Sequence, residues 1–199
     1  MLLGIVSDIH GNAPALARAL GELAGVVDEV LVAGDAFSDH MFSNEVVAQI
    51  RTAEARYILG NHEMSFLGPA SVAARSSRRV DQDHLRFVAD TPRQIRTDLG
   101  GKSLLMVHGS PWEPYGDYLQ PTSPKFSRCG ELEADFVILG HTHTPFHVEF
   151  DGTLVVNPGS LGRSDDPTLG DDVSYALLDT DSGEATIVRF PNPLLPART

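Results

Sequence analysis

The chain reads as an α/β protein made of two packed sheets with helices outside, and three observations predict this. Five short apolar runs each end abruptly in a tip of Gly, Asp, Asn or His: "LLGIV" before "SDIH", "EVLVA" before "GD", "YIL" before "GNHE", "SLLMV" before "HGS" and "DFVIL" before "GHTH". Helical segments separate the first three runs, as parallel strands require. Beyond residue 93 the texture changes to hairpin signals, which predict antiparallel strands.

Taken in order, Asn12 caps a helix over "APALARALGEL" with Pro14 in its first turn, and Ser43 caps "NEVVAQIRTA". A further helix starts at Asp81 and ends before Pro92, with Leu85 and Val88 facing inward and His84 read as a solvated side chain. "DLGGKS", "DGT" and "DSGE" mark hairpins beside the runs "TLVV", "VSYALLD" and "EATIVRF". At 199 residues and 42% hydrophobic content the chain suits one domain, 1–199, with a proline-rich tail over 191–199 lying on the surface.

Composition narrows the function classes. A single cysteine, Cys129, rules out an intramolecular disulfide and any CxxC zinc ribbon, and reads as a quiet, partly buried thiol. No apolar run approaches the ~18 residues that span a bilayer, and "MLLGIV" has no basic segment before it, so a soluble, cytoplasmic protein without membrane partners is expected. The formal charge of −12, from 27 acidic and 15 basic residues, argues against long nucleic acid as a partner. Six arginines between Arg75 and Arg96 form a weak basic patch among Asp81, Asp83 and Asp90, read as a solvated helix face.

Some local patterns mislead. "GKS" at 101–103 is not a phosphate-binding loop, because the glycine required five residues earlier is Arg96. "HEMSF" lacks the second histidine of a zinc-protease helix, Phe66 standing in its place. No G-x-S-x-G occurs, so Ser7, Ser110 and Ser160 read as loop hydrogen-bonding residues.

The tips carry the chemistry. If their strands share a sheet end, Asp8, His10, Asp35, Asn61, His108, His141 and His143 meet there, with four imidazoles, two carboxylates and one amide. That exceeds the four ligands of one tetrahedral zinc. Two adjacent cations need a shared carboxylate and usually a bridging hydroxide; with Asp8 and Asp35 they keep a net positive charge for an anionic ester. Such a site suits phosphoester hydrolysis by in-line attack of that hydroxide. Mixed imidazole, carboxylate and amide ligands accept Mn, Fe, Co, Ni or Zn.

In order and spacing, "DIH", "GD", "GNHE", "HGSP" and "GHTH" resemble the five signature motifs of the calcineurin-like metallophosphoesterase superfamily. "SDIHGN", "VHGSPWEPYGDYL", "VVNPGSLG" and "SYALLD" further resemble its compact YfcE-like phosphodiesterase branch, over about residues 1 to 179. The resemblance implies a four-layer α/β/β/α sandwich. It implies one divalent metal on Asp8, His10, Asp35 and His143, and a second on Asp35, Asn61, His108 and His141, with Asp35 shared. It also makes His62 the catalytic group at the leaving oxygen and Glu63 a supporting partner, while His147 matches no ligand position.

The expected substrate is a small phosphodiester; a scaffold subunit of the same fold, a nuclease, and a phosphomonoesterase or protein phosphatase are the alternatives. "AFSDH" after Asp35 and "RSDDPTLGDD" at 163–172 depart from the branch's pattern, leaving substrate recognition open; Asp39 and His40 read as ordinary exposed loop residues, with contact to substrate as the alternative. Oligomeric state is likewise open, a homo-oligomer included.

Overall fold

The computed structural model describes residues 1–196, so the end of the expected tail, 197–199, lies outside the described residues. Two five-stranded sheets form. The first runs β10-β9-β1-β2-β3, with β1 (Leu2–Val6), β2 (Glu29–Val32) and β3 (Arg56–Tyr57) parallel, and β9 (Asp172–Asp179) and β10 (Glu184–Pro191) added as an antiparallel hairpin. The second runs β4-β5-β6-β8-β7. In it β5 (Ser103–Val107), β6 (Phe136–Ile138) and β8 (Thr153–Asn157) are parallel, with β4 (Gln94–Asp98) and β7 (Phe146–Phe150) antiparallel at the edges.

The near-continuous apolar runs arise because the inner strands are covered on both faces. Leu3, Ile5 and Leu31 of the first sheet meet Leu104, Met106, Phe136, Ile138 and Val156 of the second in one buried cluster. On the first sheet's outer face, Val6 and Val32 pack with Leu16 of α1 (Ala13–Leu23), Val47 of α2 (Asn44–Thr52) and Val88 of a later helix, α5 (Gln82–Ala89). Gly4 permits the close approach of α1, since a Cβ there would sit 2.8 Å from the Leu23 methyls. Asn12 and Ser43 do cap α1 and α2, accepting from the Ala15 and Val46 amides. On the second sheet's outer face the covering is a 3₁₀ helix, Phe126–Glu131, and its flanking loops, through Leu119, Phe126 and Cys129.

Four details differ from the sequence expectation. "GNHE" opens a short helix, α3 (Asn61–Leu67), followed by a single helical turn, α4 (Val72–Arg75). His84 is half-buried rather than solvated, with its Nδ1 enclosed. Pro191 still belongs to β10, and Asn192 is nearly buried, donating to the Gly162 carbonyl and accepting from Asn12 Nδ2. Cys129 is fully rather than partly enclosed, and burial pushes its thiol up to about 11. Among the described residues, no helix is long and apolar enough to cross a membrane.

Candidate metal centre

The carboxyl ends of β1, β2 and β3 in one sheet and of β5 and β6 in the other open onto a common point, where Asp8 and His10, Asp35, Asn61, His108, and His141 and His143 converge. Five of these seven sit in the left-handed region: Asp8 (φ 51°), His10 (49°), Asp35 (55°), His141 (66°) and His143 (53°). Non-glycine residues seldom adopt such angles, and each costs on the order of 1–3 kcal/mol and persists only where its surroundings enforce it. Here they do: the Asp8 and His10 amides donate to the carbonyls of Gly34 and Asp35 at 3.0 Å, and Ser160 Oγ donates to the Asp8 carbonyl at 2.7 Å. Gly34, at φ 100°, cannot carry a side chain, since a Cβ would lie 2.5 Å from His108 Nδ1.

Each carboxylate is held by one oxygen and presents the other. Asp8 Oδ2 accepts the His141 amide at 2.9 Å, leaving Oδ1 buried and without a hydrogen-bond donor, 3.3 Å from His143 Nε2. Asp35 Oδ1 accepts the His62 amide at 2.9 Å, while Oδ2 lies 3.2 Å from His108 Nε2 and 3.7 Å from His62 Nε2. His108 Nδ1 donates to the Ala33 carbonyl at 2.7 Å, which directs Nε2 into the site beside Asn61 Oδ1 at 3.0 Å. Glu63 is fully buried and accepts three backbone amides, Asp35 at 3.0 Å, Ala36 at 2.7 Å and Gly60 at 2.7 Å, so it fixes the main chain that carries Asp35.

Burial and mutual charge move the clustered groups away from their ordinary titration ranges. Burial drives the His141 imidazole down to about 4, helped by the His108 charge. Burial would also lower His108, but the Asp35 and Asp8 carboxylates outweigh it and raise it to about 10. Burial opposes ionisation of Asp8, which is nonetheless held below its ordinary value by His143 and His108. For Glu63, burial and then the Asp35 charge push the carboxyl up to about 7, against the three amides that favour its anion.

The donor set fits divalent cations. His10 Nε2 and His143 Nε2 face one another at 2.9 Å, close enough that both could reach one cation. His141 Nε2 is buried with no partner. Ligand atoms lie within 4.8 Å of one another in three sets: Asp8, His10 and His143; His10, Asp35 and His62; and Asp35, His108 and His141. His147 stands on β7, away from these sets.

Residues 1–183 match the model of the calcineurin-like phosphoesterase superfamily domain. The chain belongs to the calcineurin-like phosphoesterase superfamily. This phosphoesterase is 26% identical to a probable metallophosphoesterase of Methanothermobacter thermautotrophicus, over 98% of its own length and 95% of the relative's. It is 27% identical to the phosphodiesterase YfcE of Escherichia coli, over 91% and 89%. The crystal structure of a metallophosphoesterase from Sphaerobacter thermophilus superposes with a TM-score of 0.77 at 25% identity, covering 96% of this phosphoesterase and 88% of that chain.

Three neighbours of the site escaped the sequence reading. Asp39, read there as an ordinary loop residue, contacts His62: its amide and its Oδ1 both lie 2.9 Å from His62 Nδ1. The two contacts require opposite protonation of that nitrogen, and both orient Nε2 toward Asp35. Asp165 Oδ2 lies 3.4 Å from His143 Nδ1, while the Asp165 amide donates to the His143 carbonyl. Tyr118 packs its ring on His141, centroids 4.1 Å apart. No local spacing links these pairs in the sequence.

Proposed function

We propose that this metal-dependent phosphoesterase hydrolyses small phosphodiesters at a pair of divalent cations that share Asp35. The observation behind this reading is the placement of Asp35, whose carboxylate belongs to a His10 set on one side and to the His108 and His141 set on the other. Asp8, His10, Asp35 and His143 would hold one cation, and Asp35, Asn61, His108 and His141 the second. When bound, the cations supply an acidified water as nucleophile and neutralise charge on the phosphoryl oxygens.

The chain's own residues do the rest. His62 stands beside the cluster with its Nε2 inward and its Nδ1 held by Asp39, so it is placed to give a proton to the leaving oxygen. Its amide, bonded to Asp35 Oδ1, keeps ring and carboxylate in fixed relation. Glu63 holds the Asp35 and Ala36 amides, so the shared carboxylate cannot drift from its neighbours.

The test compares leaving groups. Positioned acid catalysis is worth roughly 10²–10⁴-fold and matters most for a basic alkoxide, since a stable phenolate departs without a proton. His62→Ala should therefore keep its metals and lose far more rate on an alkyl ester than on a nitrophenyl ester. Equal losses on both, or a missing metal, would overturn the assignment. Metal analysis of untreated protein and a panel of diesters, monoesters and duplex DNA separate the diesterase from the scaffold, monoesterase and nuclease readings. In a chain of net charge −12, efficient duplex cleavage would count against the proposal.

A further inference from the structure

A cavity of about 660 Å³ opens directly from the candidate metal centre, with His10 and Gly11 at its inner end. One wall is Ser38 and His40 of the departure stretch "AFSDH" and the Met41, Phe42 and Ser43 that follow it. Ser38 and Met41 close a tight turn, the Met41 amide donating to the Ser38 carbonyl at 3.0 Å, with His40 left-handed at φ 56°. His40 Nδ1 lies 2.9 Å from Ser71 Oγ, which ties the turn to the segment after α3. Phe42 packs with Phe37 and Phe66, centroids 4.9 and 5.4 Å away. The wall is thus held by contacts to the segment after α3 and to buried aromatic rings.

Two large apolar side chains are left in water here, Met41 at 71% and Leu194 at 61% exposure, and both line this cavity. Leu194 arrives from the chain beyond β10, where Asn192 is anchored to Asn12 and Gly162. Apart from histidines, the only charged lining residue is Arg79, which forms no ion pair among the described residues. In a chain of net charge −12, the cavity beside the site therefore carries apolar surface, hydroxyls and a cation, but no carboxylate.

Ser38 and His40 flank Asp39, the residue that holds His62. The alcohol released beside His62 is thus adjacent to this cavity. A small polar alcohol would leave Met41, Phe42 and Leu194 uncovered, and a purely apolar one would bury Ser38 and Arg79 without partners. A nucleoside offers both a planar face for the apolar wall and ring heteroatoms and hydroxyls for the polar one.

We propose that this cavity binds the nucleoside of a nucleoside phosphoester, and so sets leaving-group specificity. The proposal rests on the phosphoesterase reading for its position in catalysis, though binding of the nucleoside itself does not. The first measurement is the methyl resonance of Met41 in the full chain with zinc added, titrated with adenosine, which has no phosphate to hydrolyse. A saturable shift of Met41, lost in Leu194→Glu, is expected; no shift at millimolar adenosine would overturn the proposal.

The second measurement compares kcat/KM for the methyl esters of adenosine 5′-phosphate and of glycerol phosphate, whose leaving alkoxides are similar. The adenosine ester should be favoured by on the order of tenfold or more, and Leu194→Glu or Met41→Glu should lower that ratio. Equal kcat/KM for the two esters would refute the pocket assignment. If neither these esters nor methyl 4-nitrophenyl phosphate is hydrolysed with any divalent metal, the phosphoesterase reading fails, and the Met41 titration alone decides the nucleoside site.

Discussion

Removing the Glu63 carboxylate should expose how tightly the site's main chain is held. Oε2 accepts the Asp35 and Gly60 amides and Oε1 accepts the Ala36 amide, all within a fully buried pocket. A buried donor left without its acceptor costs ~1–3 kcal/mol, so Glu63→Ala, which orphans three, is expected to cost at least ~3 kcal/mol before any cavity term. Glu63→Gln can keep its oxygen on the Asp35 and Gly60 amides but turns an NH₂ toward Ala36, costing ~1–3 kcal/mol. For a domain of this size, each kcal/mol moves Tm by ~2–4 °C, so the alanine variant should melt ~6–12 °C or more below wild type. The assay is urea unfolding in chelator, with thermal melting as a second probe. A loss below ~1 kcal/mol for Glu63→Ala, or a larger loss for the glutamine variant, would refute the three-amide account.

Other outcomes follow from the same geometry. Asp165→Asn should weaken metal binding by less than ~10-fold in a metal titration, because the carboxylate stands 3.4 Å from His143 Nδ1 without a hydrogen bond to it; an affinity equal to wild type would show the contact to be idle. Asp39→Ala should give an alkyl-ester rate between those of wild type and His62→Ala, because the backbone contact to His62 survives; a rate equal to wild type would show the carboxylate to be idle. With its thiol raised to about 11, Cys129 should hold only ~10⁻³ thiolate at pH 8 and react with a thiol reagent only on unfolding. Stoichiometric labelling of native protein within minutes would contradict the burial of Cys129.

What was legible in the sequence is what depends on local order. Strands β1, β2, β5 and β6 end within one residue of where the apolar runs stop, so the meeting of Asp8, Asp35 and His108 at their tips could be read from position alone. Helix α3 was hidden because Gly60 caps it through its backbone, with Glu63 reaching back, and no side-chain cap marks the start. His84 was misread since its enclosure comes from tertiary packing. Asp39 and Asp165 lie 23 and 22 residues from the histidines they touch, in stretches with no periodic pattern, and their roles exist only once both loops close over the site. The outer covering of the second sheet is irregular for the same reason: Leu119, Phe126 and Cys129 pack inward without a helical repeat.

The cluster draws on both sheets: Asp8, His10, Asp35 and Asn61 come from the first, and His108, His141 and His143 from the second. A cation held across that seam, as proposed, would act as a clasp between two halves of the chain. During synthesis, residues 1 to 61 can supply the two carboxylates, one imidazole and one amide of the proposed ligands, but neither proposed set is complete until residue 141 has emerged and the second sheet has docked. Even then β1 lacks its neighbour β9, which arrives only at Asp172–Asp179. Metal capture at the proposed sets would therefore wait on the second sheet's tips but could precede the pairing of β9 with β1. Its loss should first loosen the joint between the sheets while leaving each sheet's internal pairing intact.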